Sequence, residues 1–194
     1  MYILGASGHA KSVIDVLPDL KVVKTIYDDD PKVDELMGIP VKYSSEINWD
    51  KTELGFVAIG DNKNRMKVAE RLRNYFDYIN LIHQSAFISR FADLSKGIVV
   101  MEGAIIKVDS YVGNHVIVNT GARVDHDCRL GDYVHIAPGV TLCGNVMIGE
   151  GSLVGAGSVV LPGITIGNWV TIGAGSVVHK NIPDGGKWIG DNLG

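Results

Sequence analysis

Hydrophobic and polar positions follow two different rules along this chain. From Ile82 onward an aliphatic residue returns at every sixth position, through Ile88, Leu94 and Val100 and without a break to Ile166, Ile172 and Val178, seventeen consecutive hits on Ile, Leu or Val. Four residues after each aliphatic comes a second small or β-branched residue: Val116, Ala122, Cys128, Val134, Val140, Val146, Ser152, Ser158, Ile164, Val170 and Ser176. In extended chain, residues two apart share a face. Each small residue and the aliphatic two positions later therefore point inward together.

A glycine often follows the aliphatic, and Gly113, Gly131, Gly149 and Gly167 stand 18 residues apart. Three hexapeptides thus make one coil, and these glycines are expected to supply the positive φ of a sharp corner. The pattern predicts a triangular solenoid whose short strands stack by parallel pairing. Residues 82–178 give about five coils, or roughly 24 Å of stack at ~4.8 Å per strand. No long insertion interrupts the period, so no large looped-out lid is expected.

Before Ile82 the period is absent. Tyr2-Ile-Leu4 reads as a buried strand, Gly5-Ala-Ser-Gly8 as a tight turn and His9 to Leu17 as a helix. Val22 to Tyr27 reads as a second strand ending in Asp28-Asp29-Asp30, and Gly55 to Ile59 as a third, followed by Gly60-Asp61-Asn62. Lys63 to Tyr75 has helical periodicity with Met66, Ala69 and Leu72 on one side, and Tyr78 to Leu81 reads as a last strand. Strand alternating with helix predicts a small parallel, Rossmann-like α/β domain over residues 1–81, ahead of the solenoid over residues 82–194.

Ligands of such sheets bind beyond the carboxyl ends of the strands. Gly5-Ala-Ser-Gly-His-Ala10 sits there and partly matches a dinucleotide fingerprint. Ser7 replaces its second glycine and Ala10 its third, which argues against NAD. The remaining readings are a nucleotide-sugar phosphate at the helix N-terminus or a plain strand-to-helix turn. Asp28 and Asp29 stand where an acid binds a ribose or sugar hydroxyl, or where a solvated loop simply carries charge.

The solenoid is austere except at Val124-Asp-His-Asp-Cys-Arg-Leu-Gly-Asp-Tyr-Val-His135. His126 and Asp127 fall at positions three and four of a hexapeptide, near an outer corner, and His135 falls on an outward position. The core does not need them. A histidine flanked by Asp125 and Asp127 suits a general base near neutral pH, oriented by a carboxylate. His126 and His135 lie half a coil apart, so they meet only if prisms pack side by side. A homotrimer with sites between subunits follows as an expectation. His115 is expected to face outward and line the same interface, whereas His83 and His179 look incidental. Short-spaced ligand pairs are missing, so no metal is expected. Cys128 points inward and Cys143 takes a glycine-like corner position, so neither is expected to act as a nucleophile.

Bulk properties narrow the classes. The 194 residues are 46% hydrophobic and 21% charged, with a net charge of −4, so there is no basic footprint for nucleic acid or an anionic membrane. No apolar run approaches the roughly 20 residues that span a bilayer. The N-terminus lacks the basic start and apolar core of a signal peptide, and two cysteines make no disulfide framework. A cytoplasmic protein is expected.

The chain resembles the bacterial sugar acetyltransferases of the PglD and NeuD type. The resemblance rests on Ile-Leu-Gly-Ala-Ser-Gly-His-Ala, on Phe-Val-Ala-Ile-Gly-Asp-Asn, and on Val-Asp-His-Asp-Cys-Arg-Leu-Gly-Asp-Tyr-Val-His-Ile-Ala-Pro-Gly. It implies a left-handed parallel β-helix and transfer of acetyl from acetyl-CoA to a sugar, often the 4-amino group of a UDP-linked deoxy-sugar. It makes His126 the general base and Asp127 its supporting carboxylate, where many relatives carry Glu. It places His135 by the thioester and Ala156 and Ala174 along the pantetheine slot. Gly8, His9, Ala10, Asp28, Asp29 and Gly60 match its nucleotide-sugar pocket. Relatives commonly end in a Gly-x-Pro-Ala-Lys-like tail, whereas this chain ends in Trp188-Ile-Gly-Asp-Asn-Leu-Gly194, so that tail's CoA contacts do not carry over. The rival readings are O-acetylation of sialic acid or another sugar hydroxyl, a non-catalytic sugar-nucleotide sensor, and a zinc-dependent γ-type carbonic anhydrase.

Overall fold

A computed structural model describes residues 1–47, 52–190 and 192–193. Its chain divides into two units, Met1–Leu81 and Ile82–Gly194.

The first unit runs β1 (Tyr2–Leu4), α1 (Gly8–Asp15), β2 (Thr25–Asp28), β3 (Glu35–Leu36), β4 (Ile39–Tyr43), β5 (Glu53–Val57), α2 (Asn62–Leu72) and β6 (Phe76–Tyr78). Its sheet has the order β3-β4-β2-β1-β5-β6. Pairing is parallel except for the β3–β4 hairpin. Ile3 lies between Ile26 and Phe56 in register, and all three are buried, as expected where a parallel sheet is covered on both faces.

Several local expectations move, among them the last strand, which is Phe76–Tyr78 rather than 78–81. The second strand starts at Thr25 rather than Val22, because Leu20–Val22 forms a 3-10 turn whose Asp19 carboxylate accepts from the Lys21 N–H at 2.9 Å. The third strand is Glu53–Val57 rather than 55–59. Helix α2 buries Arg65, Val68, Ala69 and Leu72, leaving Met66 at the edge of that face. The β3–β4 hairpin has no counterpart in the sequence reading. Its two-residue turn, Met37-Gly38, has φ of 53° and 80°, and it lacks the Asn-Gly or Asp-Gly pair that announces such turns.

The second unit is a three-sided parallel β-helix. Two-residue strands recur every six residues, from Phe87–Ile88 to Val177–Val178. Each pairs in parallel with the strand one coil on, as in Ile117↔His135, Arg123↔Thr141 and Tyr111↔Arg129. The first face carries Val99–Val100, Ile117–Val118, His135–Ile136, Leu153–Val154 and Thr171–Ile172. The second runs from Phe87–Ile88 through Arg123–Val124 to Val177–Val178, and the third from Asp93–Leu94 through Arg129–Leu130 to Thr165–Ile166. The predicted inward residues form the core: Val118, Ala122, Val124, Cys128, Leu130 and Val134 are all 0% exposed.

The corner glycines do something other than expected. Positive φ falls three residues after the aliphatic, for example at Gly121 and Gly139 and also at Asp127 and Tyr133. Gly113, Gly131 and Gly149 are not among the positive-φ residues. They are glycines because the next coil presses on them. A Cβ at Gly149 would lie 2.5 Å from the Gly167 carbonyl carbon and 2.6 Å from the Asn168 nitrogen. The third-to-first corner carries a further ladder, in which Asn114 N–H donates to Asp132 Oδ1 at 2.7 Å and Asn168 N–H to Asp184 Oδ1 at 2.8 Å.

Beyond Val178, Lys187–Ile189 adds to the first face in parallel with Thr171–Ile172, and Trp188 is buried in the prism core. Asn192–Leu193 pairs antiparallel with it, while Asp191 and Gly194 of the unusual tail lie outside the described residues.

Candidate active site

On the β-helix, the corner between the second and third faces is made by Asp125, His126, Asp127 and Cys128. Cys128 turns inward, and its burial pushes the thiol pKa up to about 11. Asp127 takes the left-handed conformation, φ 61°, that this position of the coil requires. That conformation brings its carboxylate back over the preceding residue, with His126 Nδ1 and Asp127 Oδ2 at 2.7 Å. Asp125 Oδ1 accepts the His126 backbone N–H at 2.8 Å, and the His126 carbonyl accepts the Asn145 N–H from the next coil at 2.9 Å. The Asp127 hydrogen bond, followed by the Asp125 charge, raises the pKa of the His126 imidazole above its ordinary value. Both side chains stand in solvent in the single chain. When neutral, an imidazole donating Nδ1–H to Asp127 presents its Nε2 lone pair outward, which is the state a general base needs.

His135 lies on the first face, half-buried, with Nε2 at 3.2 Å from Asn119 Nδ2. Asn119, at the first-to-second corner, was not singled out from sequence, where it is one more polar residue in a corner. Ala156 and Ala174 are exposed, one coil apart at that same corner, where the Gly175 N–H bonds the Ala156 carbonyl. His126, in contrast, sits at the corner between the second and third faces. His115 is not the exposed residue expected. It is 6% exposed and stacks on the Tyr133 ring, with centroids 5.3 Å apart, because both are corner residues one coil apart.

In the first unit, a cleft of about 280 Å³ opens at the carboxyl ends of β1 and β2. Leu4, Gly5, Ser7, Tyr27, Asp28, Asp29, Ser44, Asn64, Lys67 and Arg71 are among its walls. Of the residues proposed from sequence, Asp28 and Asp29 line it. Gly8, His9, Ala10 and Gly60 do not, and the Ala10 methyl is wholly buried. The Asp28 carboxylate is occupied by the backbone, accepting from Ala6 N–H at 2.7 Å and Asp30 N–H at 2.9 Å, so it shapes the turn. Asp29 pairs with Arg71 at 2.7 Å, and that hydrogen bond holds its carboxyl below the usual range. Burial, reinforced by the Arg65 charge, lowers the His9 pKa to about 4 and keeps that ring neutral. Arg65 is itself buried and ties down the loop after β5 by donating to the Ile59 and Gly60 carbonyls, both at 3.0 Å.

Lys67 and Arg71 are the groups that sequence reasoning missed. They stand four apart on α2 and so share one face of it, which was legible. What was not legible was that this face and the β1–α1 turn line one cleft.

No helix among the described residues is long and apolar enough to cross a membrane, and no group of three or more His, Cys, Asp or Glu among them is placed to hold a metal.

Comparison with known proteins adds to this geometry. A family model for the PglD N-terminal domain matches residues 1–72, and one for the bacterial transferase hexapeptide (six repeats) matches 109–144 and 145–180. The crystal structure of a His-to-Asn mutant of perosamine N-acetyltransferase from Caulobacter crescentus, in complex with CoA and GDP-perosamine, is 38% identical. It superposes with a TM-score of 0.89 over 100% of this chain and 94% of that one. The acetyltransferase domain of PglB from Neisseria gonorrhoeae, in complex with acetyl coenzyme A, is 36% identical, with a TM-score of 0.90 over 100% of this chain and 97% of that one. Uncharacterized protein L142 of Acanthamoeba polyphaga mimivirus is 38% identical over 116 residues, 59% of this chain, and the chain spans only 24% of that relative's length.

Proposed function

The chain belongs to the bacterial sugar acetyltransferases that join a PglD-type N-terminal domain to a hexapeptide-repeat β-helix, and from that premise we propose that it transfers acetyl from acetyl-CoA to the amino group of a nucleotide-linked sugar. The observation that carries the reading is the His126–Asp127 pair at 2.7 Å, set on an outer corner where the core has no use for it. His126 Nε2 takes a proton from the sugar amine as its nitrogen bonds to the thioester carbonyl carbon. Collapse of the tetrahedral intermediate breaks the carbon–sulfur bond, and the proton on His126 passes to the departing CoA thiolate. Asp127 holds the ring and stabilises its cation. No covalent enzyme intermediate is required.

The nucleotide sugar is assigned to the first unit. Its phosphates face Lys67, Arg71 and the Gly5–Ser7 turn, with Asp29 toward the ribose. The sequence resemblance points to UDP and a 4-amino-deoxy sugar, while the Caulobacter relative was crystallised with GDP-perosamine. The cofactor is assigned to His135, Ala156 and Ala174. These residues lie on the first face and its corner with the second, away from the corner that carries His126. Closing one site from both sets therefore calls for neighbouring prisms, and the assembly proposed is a homotrimer.

The test is a panel of UDP- and GDP-linked sugars, each as the 4-amino compound and its 4-hydroxy analogue, with acetyl-CoA and a thiol-release readout. Turnover of an amino sugar with one nucleotide supports the reading. Turnover of the hydroxy compounds alone would make the protein an O-acetyltransferase. No thiol release with any member would remove the enzymatic reading of this site.

A further inference from the structure

Gly144 stands one coil beyond His126, at the same corner position. A Cβ built on Gly144 would lie 2.6 Å from His126 Cε1, 2.7 Å from Nε2 and 3.2 Å from Nδ1. All three of its nearest neighbours are atoms of that one imidazole. The ring therefore lies flat against the Gly144 backbone, in the space a side chain would fill. Gly144 is not among the positive-φ residues, so its backbone conformation does not itself demand glycine. This sets it apart from Gly131 and Gly149, whose missing Cβ makes room for the backbone of the next coil.

We propose that Gly144 is a positioning residue: its bare backbone is the seat that holds the His126 ring against Asp127. The seat completes a set of restraints. Asp125 holds the His126 amide, Asn145 holds its carbonyl and Asp127 holds Nδ1, at 2.8, 2.9 and 2.7 Å. These bonds fix the main chain and one ring nitrogen, and Gly144 fixes the plane of the ring. A methyl group there pushes the ring outward, breaks the bond to Asp127 and turns Nε2 away from its line of attack. The catalytic consequence rests on His126 being the base, but the position of the ring does not.

The experiment uses Gly144→Ala in the full chain. NMR titration of the His126 imidazole should show its pKa falling toward the ordinary value, in the same direction as in Asp127→Asn. Turnover should fall about 10- to 100-fold, the scale of an ångström-sized misplacement, with KM for both substrates within about twofold. Because the clash is with a ring alone, Gly144→Ala should leave the melting temperature unchanged in a His126→Ala background. An unmoved ring pKa together with wild-type turnover would overturn the proposal. So would equal destabilisation or misfolding of Gly144→Ala with and without the ring, which would place the clash in the backbone. If His126→Ala keeps full turnover, the general-base reading fails, while the ring titration still decides the seat.

Discussion

The two units treat the same residue types in opposite ways. In the first, Asp28, His9 and Arg65 are taken into the structure: a carboxylate bound by two backbone amides, a ring kept neutral by burial, a guanidinium tying down a loop. In the second, Asp125, His126 and Asp127 project from a corner whose interior is complete without them. A repeating coil supplies its own core at every turn, so polar chemistry at a corner is an addition to the fold. A small α/β unit has no such surplus. Changes in the β-helix cluster should therefore alter turnover without stability, and changes in these polar groups of the first unit should alter stability.

The largest effect expected on that contrast is at His126. His126→Ala should lower turnover by about 10²–10⁴-fold, the usual worth of a positioned base, with stability within about 0.5 kcal/mol of wild type because the side chain is exposed. Steady-state kinetics and thermal unfolding measure the two halves. The same variant tests the seam. Mixed with His135→Ala and allowed to exchange subunits, it should recover activity toward about a quarter of wild type, since that fraction of random seams pairs two intact residues. No recovery would return the site to a single chain.

The next effect reverses the sign of the comparison. Gly149→Ala, in the same β-helix, should cost about 1–3 kcal/mol, the range for forced overpacking, because its Cβ meets the Gly167–Asn168 backbone of the following coil, at 2.5 and 2.6 Å, as well as the Asn168 side chain. A fall in melting temperature with little change in kcat is the expected result. Unchanged melting would mean the coils can separate locally at that corner.

These contrasts also explain how much was readable in advance. The β-helix was legible because each position recurs in an equivalent environment, so one residue's burial is announced by its neighbours six and 18 residues away. Its failures were of mechanism, as at Gly149, where close approach and not φ selects glycine, and of neighbour, as at His115, which stacks on Tyr133. The family and the α/β class of the first unit were readable too. Its boundaries were less so, since Asp19 offers Lys21 a local bond that delays β2, and the Met37-Gly38 turn lacks its usual residues. Lys67 and Arg71 escaped because their place in the cleft depends on α2 and the β1–α1 turn, distant in sequence, lining the same opening.

The smallest effect is a pH dependence confined to the first unit. Burial, with the Arg65 charge, lowers the His9 pKa in the folded chain to about 4 from its ordinary 6.5. Above pH 6.5 the ring is neutral in both states and its contribution to stability is complete. As the pH falls below 6.5 the unfolded chain takes up a proton that the folded one refuses, so stability declines until about pH 4 and then levels. Hydrogen exchange of the β1 amides should therefore accelerate between pH 6.5 and 4, after correction for intrinsic rates, and His9→Gln should flatten that slope while leaving exchange in the β-helix strands alone. A slope that persists in His9→Gln would assign the acid sensitivity to the carboxylates and cancel the contrast drawn for this residue. A slope shared by the β-helix would show that the two units unfold together, and that the division of labour between them is chemical without being energetic.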